Sequence, residues 1–425
     1  MPPQRARFLP LAKQDLVAAC AEDPRLDAGD RDAFRDLCRI LESVFHFEFH
    51  ARLERLKLCY APFDPDAETR PLQPITEDER RRRQRELARD LRDLLEAANY
   101  EEIPRAVLDA ALRDESLFRV RLALDFDDFE ELILFRRGAD VRTVVLRAWF
   151  GLRRKTVTFE NFDRVALLVR FRGREWFDSK GRRDLPFEPG ATVLKLFRNV
   201  PAADLEMLFP NTEVRMKASD MLLIGVPAAI GGIVVLMTKL LGTLLLLGSL
   251  LAFWLGLRDD EVVLDQTSLV ALAVGLGTLG AFVWKQVDRF KTRKIRFLKA
   301  LTENLYFKNL DNNAGVLHRL LDEAEEEECK EAILAFWFLH TAGAPQTSAT
   351  IDRGVEEWLG ARVGRDVDFE IEDAIGKLER LDLVWRRGDS LVARPLAEAK
   401  AVLDRRWDGY FEFGPGAGAD SGSAT

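Results

Sequence analysis

The chain has 425 residues, which is more than one hydrophobic core normally holds, so about two to four folded units are predicted. Charged residues make up 32% of the chain and the formal net charge is −8, a balance that excludes the strongly basic class of phosphate-binding proteins. No CxxC pair or zinc-like spacing occurs, so free buried thiols in a reducing compartment are predicted for the four cysteines, Cys20, Cys38, Cys59 and Cys329.

Residues 1–115 are predicted to form a helical N-terminal region. Asp30–Leu58 carries apolar residues at the spacing of one helical face, and the two prolines of Ala61–Asp66 end that pattern. Glu77–Ala98 resumes it with the arginine run Arg80–Arg83. Acidic neighbours surround this run, which indicates a solvated helix face rather than a nucleic-acid patch.

One candidate metal site lies in this helical region. His46 and His50 are four residues apart, on one face of a helix, with Glu48 between them. The order differs from the HExxH pattern of zinc proteases, and no third ligand lies nearby in sequence. Helix histidines without a metal are therefore the favoured interpretation, and the three residues stay as metal candidates.

A small β-containing domain is predicted for residues 116–215. Apolar residues alternate with polar or small ones in Val120–Phe126, and similar short runs follow at Leu132–Phe135, Val141–Trp149 and Val165–Phe171, which is typical of strands. The glycines of Arg137-Gly138 and Arg172-Gly173 lie where turns are expected.

A block of transmembrane helices is predicted for residues 216–285. It contains three uncharged stretches of 18 residues each, Met221–Thr238, Leu240–Leu257 and Thr267–Trp284. As helices they reach about 27 Å, close to the ~30 Å hydrocarbon core of a bilayer. Two crossings, within Lys239–Leu257 and Thr267–Trp284, are favoured because cations flank both ends of the block, and three crossings are the alternative.

Charged residues in and after the block are further candidates. Lys239 is the lone charge between two apolar stretches. A charged residue inside a membrane indicates a functional site, so Lys239 is a candidate for one. The alternative is a lysine that lies at a turn or at the membrane interface. Residues 286–328 are predicted to form a basic juxtamembrane helix and connector. A basic cluster at its start is predicted to contact anionic lipid headgroups, and consists of Lys285, Arg289, Lys291, Arg293, Lys294, Arg296 and Lys299.

Residues 329–410 are predicted to form a winged-helix-like domain, and residues 411–425 a disordered tail. Three helical patterns precede a predicted hairpin over Leu383–Arg394, with Gly388-Asp389 at its turn. The helix near Phe369–Leu381 is rich in Asp and Glu, which phosphates would repel, so a protein partner is favoured over DNA.

Gly275–Gly280 fits the GxGxxG fingerprint of dinucleotide sites. These glycines lie inside an apolar stretch rather than between a strand and a helix, which favours helix packing over cofactor binding. No GxSxG or GxxxxGK[ST] motif occurs, and neither a cofactor nor a catalytic residue is predicted.

Three segments resemble a known family. Leu196–Pro210 resembles the sequence before the membrane segment in a family of uncharacterised membrane proteins that includes the mitochondrial transmembrane protein 143 of animals. Asn304–Asn313 and Ala324–Leu334 resemble the same family, and the resemblance covers roughly residues 45–410. It implies a membrane-anchored protein with two transmembrane helices, and implies no known reaction.

The expected fold class is thus a multidomain α+β membrane protein, and the expected function is that of a membrane-anchored interaction or scaffold protein with an unidentified protein partner. A homo-oligomeric channel or small transporter and a membrane-bound enzyme are the alternatives. The cation distribution predicts an integral protein of a bacterial inner membrane with both termini cytoplasmic, or of a mitochondrial membrane in a eukaryote. No nucleic-acid partner is expected.

Overall fold

A computed structural model describes residues 7–68, 72–108, 121–148, 153–215 and 305–411, together with single positions and short stretches between 248 and 295. For residues 121–123, 144–148, 153–157 and 213–215 it describes the backbone alone. Helices and strands are both abundant, so the fold is mixed.

Eight helices can be bounded in the described part of the chain. They are α1 (Lys13–Glu22), α2 (Arg31–Tyr60), α3 (Glu77–Ala97), α4 (Arg174–Ser179), α5 (Ala314–Thr341), α6 (Ser348–Val363), α7 (Ile371–Arg380) and α8 (Leu396–Gly409). Local sequence explains several of their ends. The Thr76 hydroxyl accepts a hydrogen bond from the Glu79 amide and so caps α3, while Gly364 ends α6 in the left-handed conformation.

Nine strands are bounded within the described residues, and they form one large sheet and two small ones. They are β1 (Glu101–Glu102), β2 (Arg121–Ala123), β3 (Phe129–Ala148), β4 (Arg153–Phe171), β5 (Thr192–Pro201), β6 (Glu213–Arg215), β7 (Asn309–Asn312), β8 (Val384–Arg387) and β9 (Ser390–Ala393). The large sheet is antiparallel in the order β1-β3-β4-β5-β7, and β2 pairs with β6 and β8 with β9.

The chain divides into two compact units. The first comprises residues 1–114, 125–205 and 308–425, and the second comprises residues 115–124 and 206–307. The large sheet and all eight bounded helices belong to the first unit. In the second, β2 pairs with β6, and Leu251 and Trp254 are exposed helical residues.

The core of the first unit is built around α5. This helix packs against five helices, α1, α2, α3, α6 and α7, and against the strands β5, β7 and β9. Its C-terminal half is apolar, and Phe336 and Trp337 there are fully buried. Apolar side chains of β3, β4 and β5 join the same core. The charged N-terminal half of α5 is therefore held against neighbouring elements on more than one side.

Asn313 fixes the start of α5 on the sheet. It has φ +50°, a conformation that Asn tolerates better than most residues. Its Oδ1 accepts hydrogen bonds from the Tyr60 hydroxyl (2.9 Å) and the Leu194 amide (3.2 Å), and its Nδ2 donates to Asp66. One side chain thus joins α2, β5 and the first turn of α5.

The predicted fold class is wrong in its central element, the block of transmembrane helices. Among the described residues no helix is long and apolar enough to cross a membrane. The longest described helices are α2 with 30 residues and α5 with 28, and both are long enough to cross a bilayer. Both are amphipathic, however, so neither is apolar enough to do so. The most apolar part of α5, Ala332–Leu339, reaches only about 12 Å and is buried in the core of the first unit.

The predicted transmembrane helices and the integral location, in a bacterial inner membrane or a mitochondrial one, are corrected by the same finding. They were inferred from hydropathy over Met221–Thr238, Leu240–Leu257 and Thr267–Trp284. The first stretch lies outside the described residues, and the other two are described only at scattered positions.

The C-terminal part of the first unit follows the predicted order of helices and hairpin. The strands β8 and β9 pair with Arg387 opposite Ser390, and Gly388 between them has φ +61°. This confirms the predicted hairpin and its turn. An additional bridge joins Gln346, before α6, to Leu391 of β9.

Candidate functional site: an acidic cavity and a buried ionic network

The three metal candidates on α2 have separate surroundings. His46 and His50 are both exposed, and the Nδ1 of His46 lies 3.1 Å from a carboxylate oxygen of Glu325. Glu48 accepts hydrogen bonds from the guanidinium of Arg380 (2.7 Å) and the hydroxyl of Tyr410 (3.1 Å). No group of three or more His, Cys, Asp or Glu arranged to hold a metal ion occurs in the described part of the chain.

The other predicted candidates fall largely outside the described residues. Of the basic cluster, Lys285 alone is described, and it is an exposed helical residue. Lys239 is outside the described residues. Gly277 and Gly280 of the Gly275–Gly280 motif are helical, and a Cβ added at either would meet nothing within 4 Å. All four cysteines are buried and free, which confirms the prediction of unpaired thiols.

A buried ion pair on α5 holds the N-terminal segment of the chain. Glu327 and Lys330 lie one helical turn apart, with the Lys330 Nζ 2.6 Å from a Glu327 oxygen, and both side chains are buried. Glu327 accepts a hydrogen bond from the Leu9 amide (2.8 Å), and Lys330 donates to the carbonyls of Leu9 (2.8 Å) and Leu11 (3.2 Å). Charged groups that lose water must regain hydrogen bonds, and here the backbone of a distant segment supplies them.

A second buried cluster surrounds Lys377 of α7. Its Nζ lies 2.7 Å from Glu331, 2.8 Å from Glu328 and 2.7 Å from Asp373. Burial disfavours the charged lysine, but the three carboxylates outweigh it and hold the pKa of Lys377 above its usual range. Burial also raises the pKa of Glu331 to about 7, although Lys377 and a hydrogen bond from Asn99 favour its charged form.

Asn99 connects this network to a cavity. It follows the C-terminus of α3 with φ +59°, a left-handed position that Gly and Asn commonly occupy after a helix. Its Nδ2 donates to Glu331 (2.9 Å) and Glu327 (3.3 Å). The next residue, Tyr100, donates its hydroxyl hydrogen bond to Glu323 (2.8 Å). The chain reversal after α3 thus places two polar side chains against the acidic half of α5.

The cavity has a volume of about 340 Å³ and is bounded by α3, β1, β3, the N-terminal segment and the residue before α7. Four of its lining residues are glutamates and one is an arginine, so the lining is acidic. Aromatic rings of Tyr100 and Phe135 form part of the wall. The full lining is Arg7, Glu96, Asn99, Tyr100, Glu101, Glu102, Phe135 and Glu370.

The helix α7 also presents an exposed acidic face, which we define as Glu372, Asp373 and Glu379 around Gly376. Apolar residues on the other side of α7 are buried, among them Ile375. Arg386 of the hairpin contacts Glu372 (3.0 Å) and Glu379 (2.9 Å). Of the two cations of α7 itself, Lys377 is buried and contacts Asp373 (2.7 Å), whereas Arg380 binds Glu48.

The comparisons with known proteins assign no activity to these sites. A family model described as "Protein of unknown function (DUF3754)" matches residues 162–315, just over a third of the chain. The matched region begins in β4 and ends in the first turn of α5, so every residue that lines the cavity lies outside it. No solved structure matches the chain. The resemblance to the family of transmembrane protein 143 stays a prediction.

Sequence reasoning did not find the cavity or the buried network. Glu327, Lys330 and Glu331 belong to a run of charged residues that reads as a solvated helix face. The sequence contained one signal of this burial: the same charged run leads into the apolar stretch Ala332–Leu339 on one continuous helix. The partners, Leu9, Asn99 and Lys377, are distant along the chain, so only the folded arrangement reveals them.

Proposed function

We propose that this chain is an interaction scaffold and that the acidic face of α7 binds a basic segment of a partner protein. The observation that carries the proposal is the composition of this face: three carboxylates, two of them exposed, surround a glycine and outnumber the two cations that contact them, Lys377 and Arg386. Carboxylates arranged in this way attract lysine and arginine and repel phosphates, so a protein partner is favoured over DNA.

Gly376 supports a docking role for this face. A glycine within a helix costs about 0.5–1 kcal/mol relative to alanine, and the fold gives no reason for it here. Its φ is not in the left-handed region, and a Cβ added there would meet nothing within 4 Å. A position without a side chain lets the backbone of a partner approach the helix closely, and that approach explains the glycine.

A binding experiment on the full chain tests the proposal. The probe is a labelled 12-residue peptide rich in lysine and arginine, and the variant carries Glu372→Gln, Asp373→Asn and Glu379→Gln. Each exposed charge contributes on the order of 0.2–1 kcal/mol, so we expect about a tenfold loss of affinity. Fluorescence anisotropy at constant ionic strength measures the change.

A charge-matched control makes the result specific to α7. Glu357→Gln, Asp404→Asn and Asp408→Asn remove three exposed carboxylates from α6 and α8, and we expect them to change the affinity less than twofold. Equal losses in the two triple variants would mean that the peptide follows the overall negative charge, and that result would overturn the proposal.

A further inference from the structure

Arginines form a row across three neighbouring strands of the large sheet. Arg137 of β3 lies directly opposite Arg164 of β4, which in turn lies directly opposite Arg198 of β5. Two residues away along these strands, the same face of the sheet contributes Phe135 and Leu196 to the core around α5. The row therefore lies at the rim of that core, on the face of the sheet that packs against α5. Like charges directly opposite one another destabilise a sheet, so the row needs compensation.

One glutamate of α5 is the carboxylate that three arginines share. An oxygen of Glu323 lies 3.0 Å from an Arg137 nitrogen and also accepts a hydrogen bond from the Tyr100 hydroxyl (2.8 Å). The other oxygen lies 3.9 Å from Arg164 Nε and 3.7 Å from Arg319 Nε, and both distances are too long for a hydrogen bond. Both Nε atoms are buried and have no hydrogen-bond partner within the described residues. Glu323 thus makes a close contact with only one of the three guanidiniums.

Arg164 is the least compensated of these arginines. Its guanidinium donates no hydrogen bond to any residue that the structure describes, and Glu323 at 3.9 Å is its nearest carboxylate there. Arg319, by contrast, also donates to Asp311 (2.8 Å). The Arg164 side chain is 29% exposed, so a solute can reach its terminal nitrogens although its Nε has lost contact with water. A guanidinium with unused donors beside two further guanidiniums favours the binding of an anion.

The charge and the arrangement of these groups indicate the class of anion. Three guanidiniums, of Arg137, Arg164 and Arg319, lie near two carboxylates, those of Glu323 and Asp311. The group is therefore cationic, in a chain whose net charge is −8. Two of the arginines belong to the sheet and the third to the helix packed on it, so a ligand between them is contacted from two sides. A tetrahedral phosphate presents oxygens to both sides, whereas a planar carboxylate presents its two oxygens to one.

We propose that this arginine site, which we define as Arg137, Arg164 and Arg319, binds a phosphate group. The phosphate accepts hydrogen bonds from the terminal nitrogens of Arg164 and Arg319 and compensates the row of like charges. It belongs either to a soluble phosphomonoester or to a lipid headgroup, since the recognised chemistry is the same. The site is separate from the acidic face of α7, and the proposal does not rest on the one made for that face.

Calorimetric titration of the full chain with inorganic phosphate, at constant ionic strength, tests the proposal. We expect saturable binding that Arg164→Gln weakens at least tenfold, because this change removes the unused donors. Arg319→Gln, on the helix side of the site, is expected to weaken binding at least threefold. The matched control is Arg174→Gln, which removes an exposed arginine of α4 and should change the affinity less than twofold.

Further variants and probes make the outcome decisive. If Arg164→Gln does not fold by circular dichroism, Arg164→Lys replaces it, and a loss is still expected because lysine keeps the charge but lacks the planar fork of donors. Methyl phosphate and vesicles that contain phosphatidic acid distinguish the sources. Binding of methyl phosphate alone supports a soluble ligand, and binding to the vesicles that depends on Arg164 supports a headgroup. No binding of inorganic phosphate, unchanged affinity in Arg164→Gln or Arg319→Gln, or equal affinity for acetate would overturn the proposal.

Discussion

Replacing Lys377 with methionine is expected to destabilise the protein strongly and in a pH-dependent way. The lysine contacts Glu331, Glu328 and Asp373 at 2.7–2.8 Å; Glu331 is buried, and the Glu328 side chain is 13% exposed. Removing one partner of a buried ion pair costs roughly 3–5 kcal/mol because a buried charge is left without compensation. Asp373 is 56% exposed and regains water, so it adds little to this cost.

The sign of the pH effect follows from the carboxylates. Lys377 holds down the pKa values of both Glu331 and Glu328, so they rise further when the lysine is removed and the buried carboxyls bind protons more readily. Keeping a buried carboxyl neutral costs little at pH 5.5, where the expected loss is about 1–2 kcal/mol from lost hydrogen bonds, and costs more at pH 8, where the expected loss approaches about 3–5 kcal/mol. Urea denaturation at the two pH values, followed by tryptophan fluorescence, measures both losses.

The control is Lys400→Met, which removes a lysine that pairs with Asp36 at 2.8 Å on the surface. We expect this change to cost less than about 1 kcal/mol at either pH. If Lys377→Met costs no more than Lys400→Met, or costs the same at pH 5.5 and pH 8, the buried network does not have the role described for it.

Three further changes test particular features of the fold. Burial raises the pKa of Glu331 from 4.5 to about 7. The contribution of its protonation to folding stability is therefore full below pH 4.5 and is lost as the pH rises through 7. Between pH 5 and pH 8, the unfolding free energy of the unaltered chain should fall by about 2–3 kcal/mol more than that of Glu331→Gln, as measured by urea denaturation. Gly138→Ala should cost about 1 kcal/mol more than Gly181→Ala. Both glycines have positive φ, but a Cβ at Gly138 would lie 3.1 Å from the Cβ of Asp163 and would also displace its carboxylate, whereas a Cβ at Gly181 would meet nothing within 4 Å; equal thermal shifts would refute this. Gly376→Ala should raise the unfolding free energy by about 0.5–1 kcal/mol, and a loss of stability would show that the fold requires the glycine.

Local patterns in the sequence predicted the amphipathic helix well. The periodicity over Asp30–Leu58 corresponds to α2, which begins at Arg31 and ends at Tyr60. The hairpin around Gly388 was also predictable, because a turn that needs positive φ favours glycine. Both features depend on neighbours in the sequence, and that is why the sequence contains them.

Features that depend on distant residues were missed or misread. Gly138 was assigned to a turn, yet β3 continues through it and places it opposite Asp163 of β4. The buried network of charges on α5 could not be predicted from the sequence, because its contacts join distant residues: Glu327 contacts Leu9, 318 residues away. The membrane block was inferred from hydropathy and flanking cations, and no helix among the described residues is long and apolar enough to cross a membrane. Burial is a property of the folded chain, and composition does not determine it.

The measurement that tests the proposed docking role most directly is photo-crosslinking from position 376 of the full chain in its native cells. Gly376 is exposed and has open space for a benzoylphenylalanine side chain. We expect an adduct with one protein through a lysine- and arginine-rich peptide, identified by mass spectrometry. The adduct should disappear when Glu372, Asp373 and Glu379 are neutralised and persist in the control triple variant of α6 and α8. An adduct of equal yield after neutralisation, or one through a peptide without basic residues, would contradict a role for the acidic face in binding.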